Sequence, residues 1–109
     1  MNKDLVAASA EPLVLSILTK GESYGYAIIQ EVRKLSDSKI EWTDGMLYPV
    51  LHRLEERGFI QSRWGESDIG RKRKYYSLQE DGRKALATRR EQWLTVHGTL
   101  SKLWEKQYV

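Results

Sequence analysis

The chain contains no cysteine among its 109 residues. That absence removes disulfides, thiolate metal sites and cysteine nucleophiles together, and it fits a reducing compartment, so the cytoplasm is the expected location. Only two prolines are present, and no proline-rich linker, low-complexity tract or internal repeat divides the chain. No apolar run is long enough to cross a bilayer, and Leu5 to Ala8 is too short for the apolar segment of a signal peptide. The two histidines, His52 and His97, fall on different segments, and no nucleophile, glycine-rich phosphate loop or metal-ligand cluster accompanies them. Glu55, Glu56, Glu80 and Asp81 sit where helix pairing and dipole effects account for carboxylates. Neither catalysis nor a metal or cofactor is expected.

What the chain does have is a globular balance, 40% hydrophobic and 30% charged, which is neither disordered nor membrane-like. Its net charge of +3 suits a polyanionic partner, but many basic proteins bind none, so the location of the charge decides.

Helical periodicity appears four times. Pro12 suits a first turn, and Leu13, Ile17 and Leu18 follow at helical spacing up to Lys20-Gly21, predicting a helix over roughly 10 to 20. Ser23 is placed to cap a second helix whose inward face carries Tyr24, Ile28, Val32 and Leu35, ended by Ser36-Asp37-Ser38. Thr43 caps a third, with Asp44 near its positive end and Leu47, Val50, Leu51 and Leu54 as the inward stripe. Pro49 leaves its start open, because a proline inside a helix removes a hydrogen bond. A fourth, from Glu80 to about Lys106, carries Leu86, Trp93, Val96, Leu100 and Leu103 on one side.

Between the third and fourth helices the pattern changes period. Phe59 to Trp64 alternates as a strand does, with Ile60, Ser62 and Trp64 on one face. A polar connection, Gly65 to Gly70, then leads to a second extended run from Arg71 to Leu78 with Tyr76 and Leu78 on one face. Tyr76 and Trp64 are expected to face the core. The predicted fold is therefore mainly α with a small β-hairpin, an α+β winged helix-turn-helix over residues 1–78 followed by a long C-terminal dimerisation helix over 79–109.

The third helix leaves Gly45, Pro49 and His52 outside, with Tyr48 and Arg53 on the flanks. A major groove about 12 Å wide admits such a helix, and its N-terminal residues meet base edges, so Thr43, Tyr48 and His52 are the candidate readers. Any amphipathic helix has a polar outer face, and that face alone does not single out DNA. The hairpin does more, because Arg71-Lys72-Arg73-Lys74 places four consecutive cations near its tip, where phosphate is the natural counter-surface.

Taken in order, Tyr24-Gly25-Tyr26, Met46-Leu47-Tyr48-Pro49, Arg53-Leu54-Glu55, Gly58-Phe59-Ile60, Arg73 to Leu78 and Asp81-Gly82-Arg83 resemble the PadR family of bacterial regulators. The resemblance covers roughly Leu13 to Trp93 and departs from the usual family pattern at Gln79 and at Asp44-Gly45. It implies that the third helix reads the major groove, that the hairpin approaches phosphates and that the last helix pairs with its mate. Ser23, Tyr24, Tyr26 and Asp44 complete the DNA-facing set with Gly45, Pro49 and Arg53 and the residues named above. The single last helix is similar to a short subfamily that includes multidrug-sensing repressors with a pore between subunits, and Trp93 falls where such members place an aromatic lining that pore.

A homodimer is expected without the resemblance too. A helix of about 27 residues spans some 40 Å, more than so small a domain covers, so the stripe of Leu86, Trp93, Val96, Leu100, Leu103 and Trp104 needs a second chain. Two-fold symmetry then favours a palindromic operator on double-stranded DNA. Trp93, Val96 and His97 are candidate contacts for a planar aromatic small molecule, although aromatics in such a stripe more often only pack. The function expected is a sequence-specific transcriptional regulator, nucleoid-associated and released by such an effector, and the resemblance implies that it represses. The alternative is a winged-helix module that docks on protein.

Overall fold

The computed structural model describes residues 1–107, with side chains through Glu105, so the last two residues of the expected terminal segment lie outside the described residues. The fold is α+β, in the order α1 (Lys3–Leu18), β1 (Ser23–Tyr24), α2 (Gly25–Leu35), α3 (Asp44–Glu56), β2 (Ile60–Glu66), β3 (Lys72–Leu78) and α4 (Glu80–Gln107).

Two starts differ from expectation. Helix α1 begins seven residues before the expected position 10, because the Asn2 side chain accepts from the Asp4 and Leu5 amides at 2.9 and 3.1 Å and caps it there. Pro12 is thus an interior residue that forgoes one ladder bond, not a first-turn residue. Ser23 does not cap α2, which begins at Gly25 with Tyr24 in the cap position and no side-chain cap bond, so Ser23 and Tyr24 both precede it. They form a short strand against β3, with Ser23 opposite Tyr76 and Tyr24 opposite Tyr75. The expected two-stranded hairpin is accordingly one part of a three-stranded antiparallel sheet in the order β1-β3-β2.

The core follows the predicted stripes of α2 and α3 apart from Tyr24 and Leu35, whereas in α1 Val14 and Leu15, outside the predicted stripe, are buried and Leu13 is only partly so. Val14, Leu15 and Leu18 of α1, Ile28 and Val32 of α2, Leu47, Leu51 and Leu54 of α3 and Ile60 of β2 are fully buried. Each aliphatic side chain of this kind contributes roughly 1.5–3 kcal/mol by leaving water. Leu35, expected inside, is 67% exposed, because the chain leaves the helix there through Asp37 and Ser38, both with left-handed φ. Trp42, which no stripe predicted, closes the core just before α3.

Helix α4 is anchored at its start. The Gln79 amide donates to the Phe59 carbonyl at 2.9 Å, and Leu86 packs on the core. The contacts of α4 with α1 continue to Leu94, past which the described part of the helix is largely exposed, and the molecule measures 58 × 29 × 22 Å.

Candidate nucleic-acid interface

Thr43 caps α3 as its position predicts, accepting from the Met46 amide at 3.3 Å, with Asp44 in the first turn. Since Leu47, Val50, Leu51 and Leu54 are buried, the 100° step between residues puts Thr43, Asp44, Gly45, Tyr48, Pro49 and His52 on the exposed side, and all six are exposed. Pro49 lies inside the helix and cannot bond the Gly45 carbonyl, which leaves an acceptor on the exposed surface without its ladder donor. His52 is not a free donor, since its Nε2 lies 2.9 Å from Glu56.

Tyr48 leans toward the start of α2, where Gly25 is buried beneath it. A Cβ at Gly25 would stand 2.5 Å from the Tyr48 hydroxyl, so only glycine admits the ring in this position. Tyr26 projects from the same end and is 65% exposed.

The hairpin's basic run is divided by strand alternation. Lys72 and Lys74 lie on the face of the sheet that turns toward α3, opposite Glu66 and Trp64 of β2. Ser62, on that face, donates to Glu55 of α3 at 2.6 Å and fixes the sheet against the helix. Arg73 points the other way, with its guanidinium 3.8 Å above the Tyr24 ring. Tyr24 meets Tyr75 edge to face at 5.7 Å, and Arg63 covers Tyr75 at 4.8 Å. Arg63 ends this stack in a bidentate pair with Glu22, and that hydrogen bond holds the Glu22 carboxyl below its usual range. The stack ties the hairpin to the entry of α2, so Arg73 is a structural cation, unlike its neighbours. Arg71 stands exposed at the turn, where Ser67 receives the Gly70 amide at 2.9 Å through its carbonyl and the Arg71 amide at 3.1 Å through its hydroxyl.

Together, α2, α3 and the hairpin form a cleft of about 860 Å³, lined by Tyr24, Gly25, Tyr26, Tyr48, Trp64, Tyr76 and Arg71 through Lys74. Tyr24, Tyr26, Tyr48 and the four cations of this lining are DNA-facing candidates of the sequence, and the fold brings them to one place. Trp64 corrects the sequence reading: Tyr76 is buried as expected, but Trp64 is 68% exposed. Both project on one face, but Ser62 is bonded to α3 through Glu55 while the ring two residues further along the strand stays exposed.

Arg53 is placed differently from the other α3 candidates. It reaches back to Glu11 of α1 at 3.9 Å, beside Arg57 at 3.2 Å and Arg89 of α4 at 2.7 Å. The Glu11 side chain is only 17% exposed. One carboxylate thus links α1, α3 and α4, an arrangement invisible in the sequence because its members are up to 78 positions apart. Glu11→Gln is expected to lower stability by about 1–3 kcal/mol, since three guanidiniums would be left facing one another. Thermal unfolding beside wild type measures it, and Glu11→Asp should fall between the two.

The candidate effector residues are split. Trp93, with Leu5, Pro12, Leu13, Ile40 and Leu86 among others, lines an apolar groove of about 440 Å³ between α1 and α4, whereas Val96 and His97 lie exposed on the next turn outside it. Among the described residues no group of acidic, histidine or cysteine side chains is arranged to hold a metal, and no helix is long and apolar enough to cross a membrane.

Residues 14–88 match the family described as the transcriptional regulator PadR-like family. A transcriptional regulator of Escherichia coli K12, YqjI, is 32% identical over 80 residues, which are 73% of this chain and 37% of that protein. Among solved structures, a transcriptional regulator from Clostridium thermocellum is 29% identical with a TM-score of 0.84, covering 94% of this chain and 96% of that one. A PadR family transcription regulator from Clostridium difficile R20291 is 30% identical with a TM-score of 0.77, covering 88% and 98%.

Proposed function

Because the chain belongs to the PadR-like family of transcriptional regulators, we propose that it is a sequence-specific DNA-binding repressor that acts as a homodimer and is released by a planar aromatic effector. The observation that carries the DNA reading is the cleft, in which Tyr48, on the exposed side of α3, and the inward lysines of the hairpin come together. A duplex laid on that side receives α3 in its major groove while the lysines and Arg71 meet phosphate. Thr43, Asp44, Gly45, Tyr48, Pro49, His52 and Tyr26 supply the groove-facing surface. Ser23, Tyr24 and Arg73 hold the hairpin beside it, and Arg53 backs α3 from behind.

Pairing of two chains is supported by what α4 leaves uncovered. Trp93, Val96, Leu100, Leu103 and Trp104 are each between 36% and 55% exposed, on a helix that runs beyond the body of the protein. The α1–α4 groove, almost wholly apolar, lies beside the same stripe and gives a partner helix a seat. In a two-fold dimer the two α3 helices stand one DNA turn apart, about 34 Å, and select a palindromic operator. An aromatic molecule stacked on Trp93 between subunits favours one separation of these helices over another. It can release DNA only through that difference. Glu11, bonded to both α3 and α4, is placed to carry it. On this reading the protein works on DNA in the cytoplasm and performs no catalysis.

The test is selection of bound fragments from random genomic duplex, followed by titration of the selected site across salt. Palindromic fragments and a steep loss of affinity with salt are expected. A monomer at micromolar concentration that ignores duplex at low ionic strength would overturn the reading, and salt-insensitive capture of protein alone would favour a protein-docking module.

A further inference from the structure

Trp64 is the most exposed aromatic ring among the described residues, and nothing in the DNA reading above uses it. Three observations bear on its role. It lies on the sheet face that turns toward α3, so it overhangs the cleft instead of the outer surface of the hairpin. Its cross-strand neighbour is Lys74, whose ammonium stands 5.9 Å from the centre of the indole. Along the hairpin its companions are charged, with Lys72 beyond Lys74 and Glu66 opposite Lys72, and the other exposed rings of the cleft, Tyr26 and Tyr48, each carry a hydroxyl.

A large flat apolar surface beside an ammonium matches the alternation of a nucleic-acid strand, in which an apolar sugar face is followed by a phosphate. We propose that Trp64 is a DNA-contacting residue, its indole packed on a deoxyribose of the strand that enters between α3 and the hairpin while Lys74 meets the adjacent phosphate. The inference rests on the DNA reading and deepens it by naming a contact that is apolar and independent of sequence. It also accounts for the exposure. The ring is held out over the cleft by the strand register, and water is displaced from it only when the duplex arrives.

The experiment compares wild type, Trp64→Ala, Trp64→Phe and Lys74→Gln on one duplex across salt. Trp64→Ala should bind about tenfold more weakly, within the range found when an aromatic ring that stacks on nucleic acid is truncated to alanine. It should keep the wild-type salt slope, because every phosphate partner remains. Trp64→Phe should recover most of the affinity. Lys74→Gln should lower the slope by about 0.9 for each copy that meets a phosphate. The difference in emission between wild type and Trp64→Phe should respond to added duplex, which a purely structural ring would not do. If wild type binds and Trp64→Ala binds equally well, this inference falls and the DNA reading survives. If wild type ignores duplex, both fall. A shift of the monomer–dimer balance in Trp64→Ala would assign the ring to a subunit contact and overturn the proposal.

Discussion

Replacing Lys72 and Lys74 together by glutamine should flatten the salt dependence of DNA binding by about 3 to 4 in log–log slope and weaken binding at 0.1 M salt by roughly 10³ to 10⁴. The arithmetic follows from the geometry. Both lysines project from the sheet face that turns toward α3, and the proposed dimer presents two such hairpins, so four cations leave the interface. Each phosphate neutralised contributes a slope of about 0.9, and binding curves that converge near 1 M salt differ at 0.1 M by ten raised to the change in slope. Arg73→Gln is the contrasting variant. Its guanidinium lies 3.8 Å above Tyr24 and serves the stack that holds the hairpin, so its loss should lower thermal stability and change the slope little. Anisotropy titrations of a labelled duplex between 50 and 200 mM salt read all three proteins, and an unchanged slope in the double variant would place the hairpin away from phosphate.

That contrast shows what a charge run in a sequence does and does not convey. Four consecutive cations near a hairpin tip are legible as a basic surface. Which of them face outward depends on strand register, and Arg73 turns from the pair on either side because neighbouring residues of a strand alternate. The buried stripe of α3 and its Thr43 cap are legible for a different reason, since a helix that packs on a core writes its period into the sequence and its cap is one residue from its start. Helix α1 starts earlier than its sequence suggests because Pro12 is also what a first turn looks like, while the real start rests on Asn2, whose stripe over the next turn is weak. Strand β1 is too short to show alternation and exists only through its pairing with β3. Trp64 shows the limit of period alone: alternation assigns the correct face, but where along the strand that face stops being covered is set by packing between elements. The Glu11 cluster joins three helices and has no local signature at all.

Gly82→Ala should be the most destabilising single-methyl change in the chain, although helix propensity alone points the other way. Alanine is favoured over glycine inside a helix by about 1 kcal/mol, and Gly82 lies within the first turn of α4. Here, however, a Cβ would fall far inside van der Waals contact with the Phe59 carbonyl oxygen, 3.0 Å from its carbon and 2.8 Å from Leu78 Cδ1. Backbone cannot swing aside as the end of a side chain does, and this carbonyl is already fixed by the Gln79 amide at 2.9 Å. Either that bond breaks or α4 tilts away from β2, at a cost of about 2–4 kcal/mol. Each kcal/mol moves the midpoint of a domain this size by about 4–8 °C, so Tm should fall by more than about 10 °C. Gly45→Ala is the internal control, because only the Thr43 hydroxyl oxygen lies near its added methyl, at 3.9 Å, and it should hold or raise Tm. The tilt also has a functional reading that stability alone does not produce. At temperatures where Gly82→Ala remains folded, a displaced α4 would change the distance between the α3 helices of the proposed dimer, so operator affinity should drop while binding to random duplex, which needs no fixed spacing, is largely retained. A variant as stable as wild type would show that α4 is not seated on the Phe59 carbonyl, and equal losses on operator and random duplex would separate its seating from operator spacing.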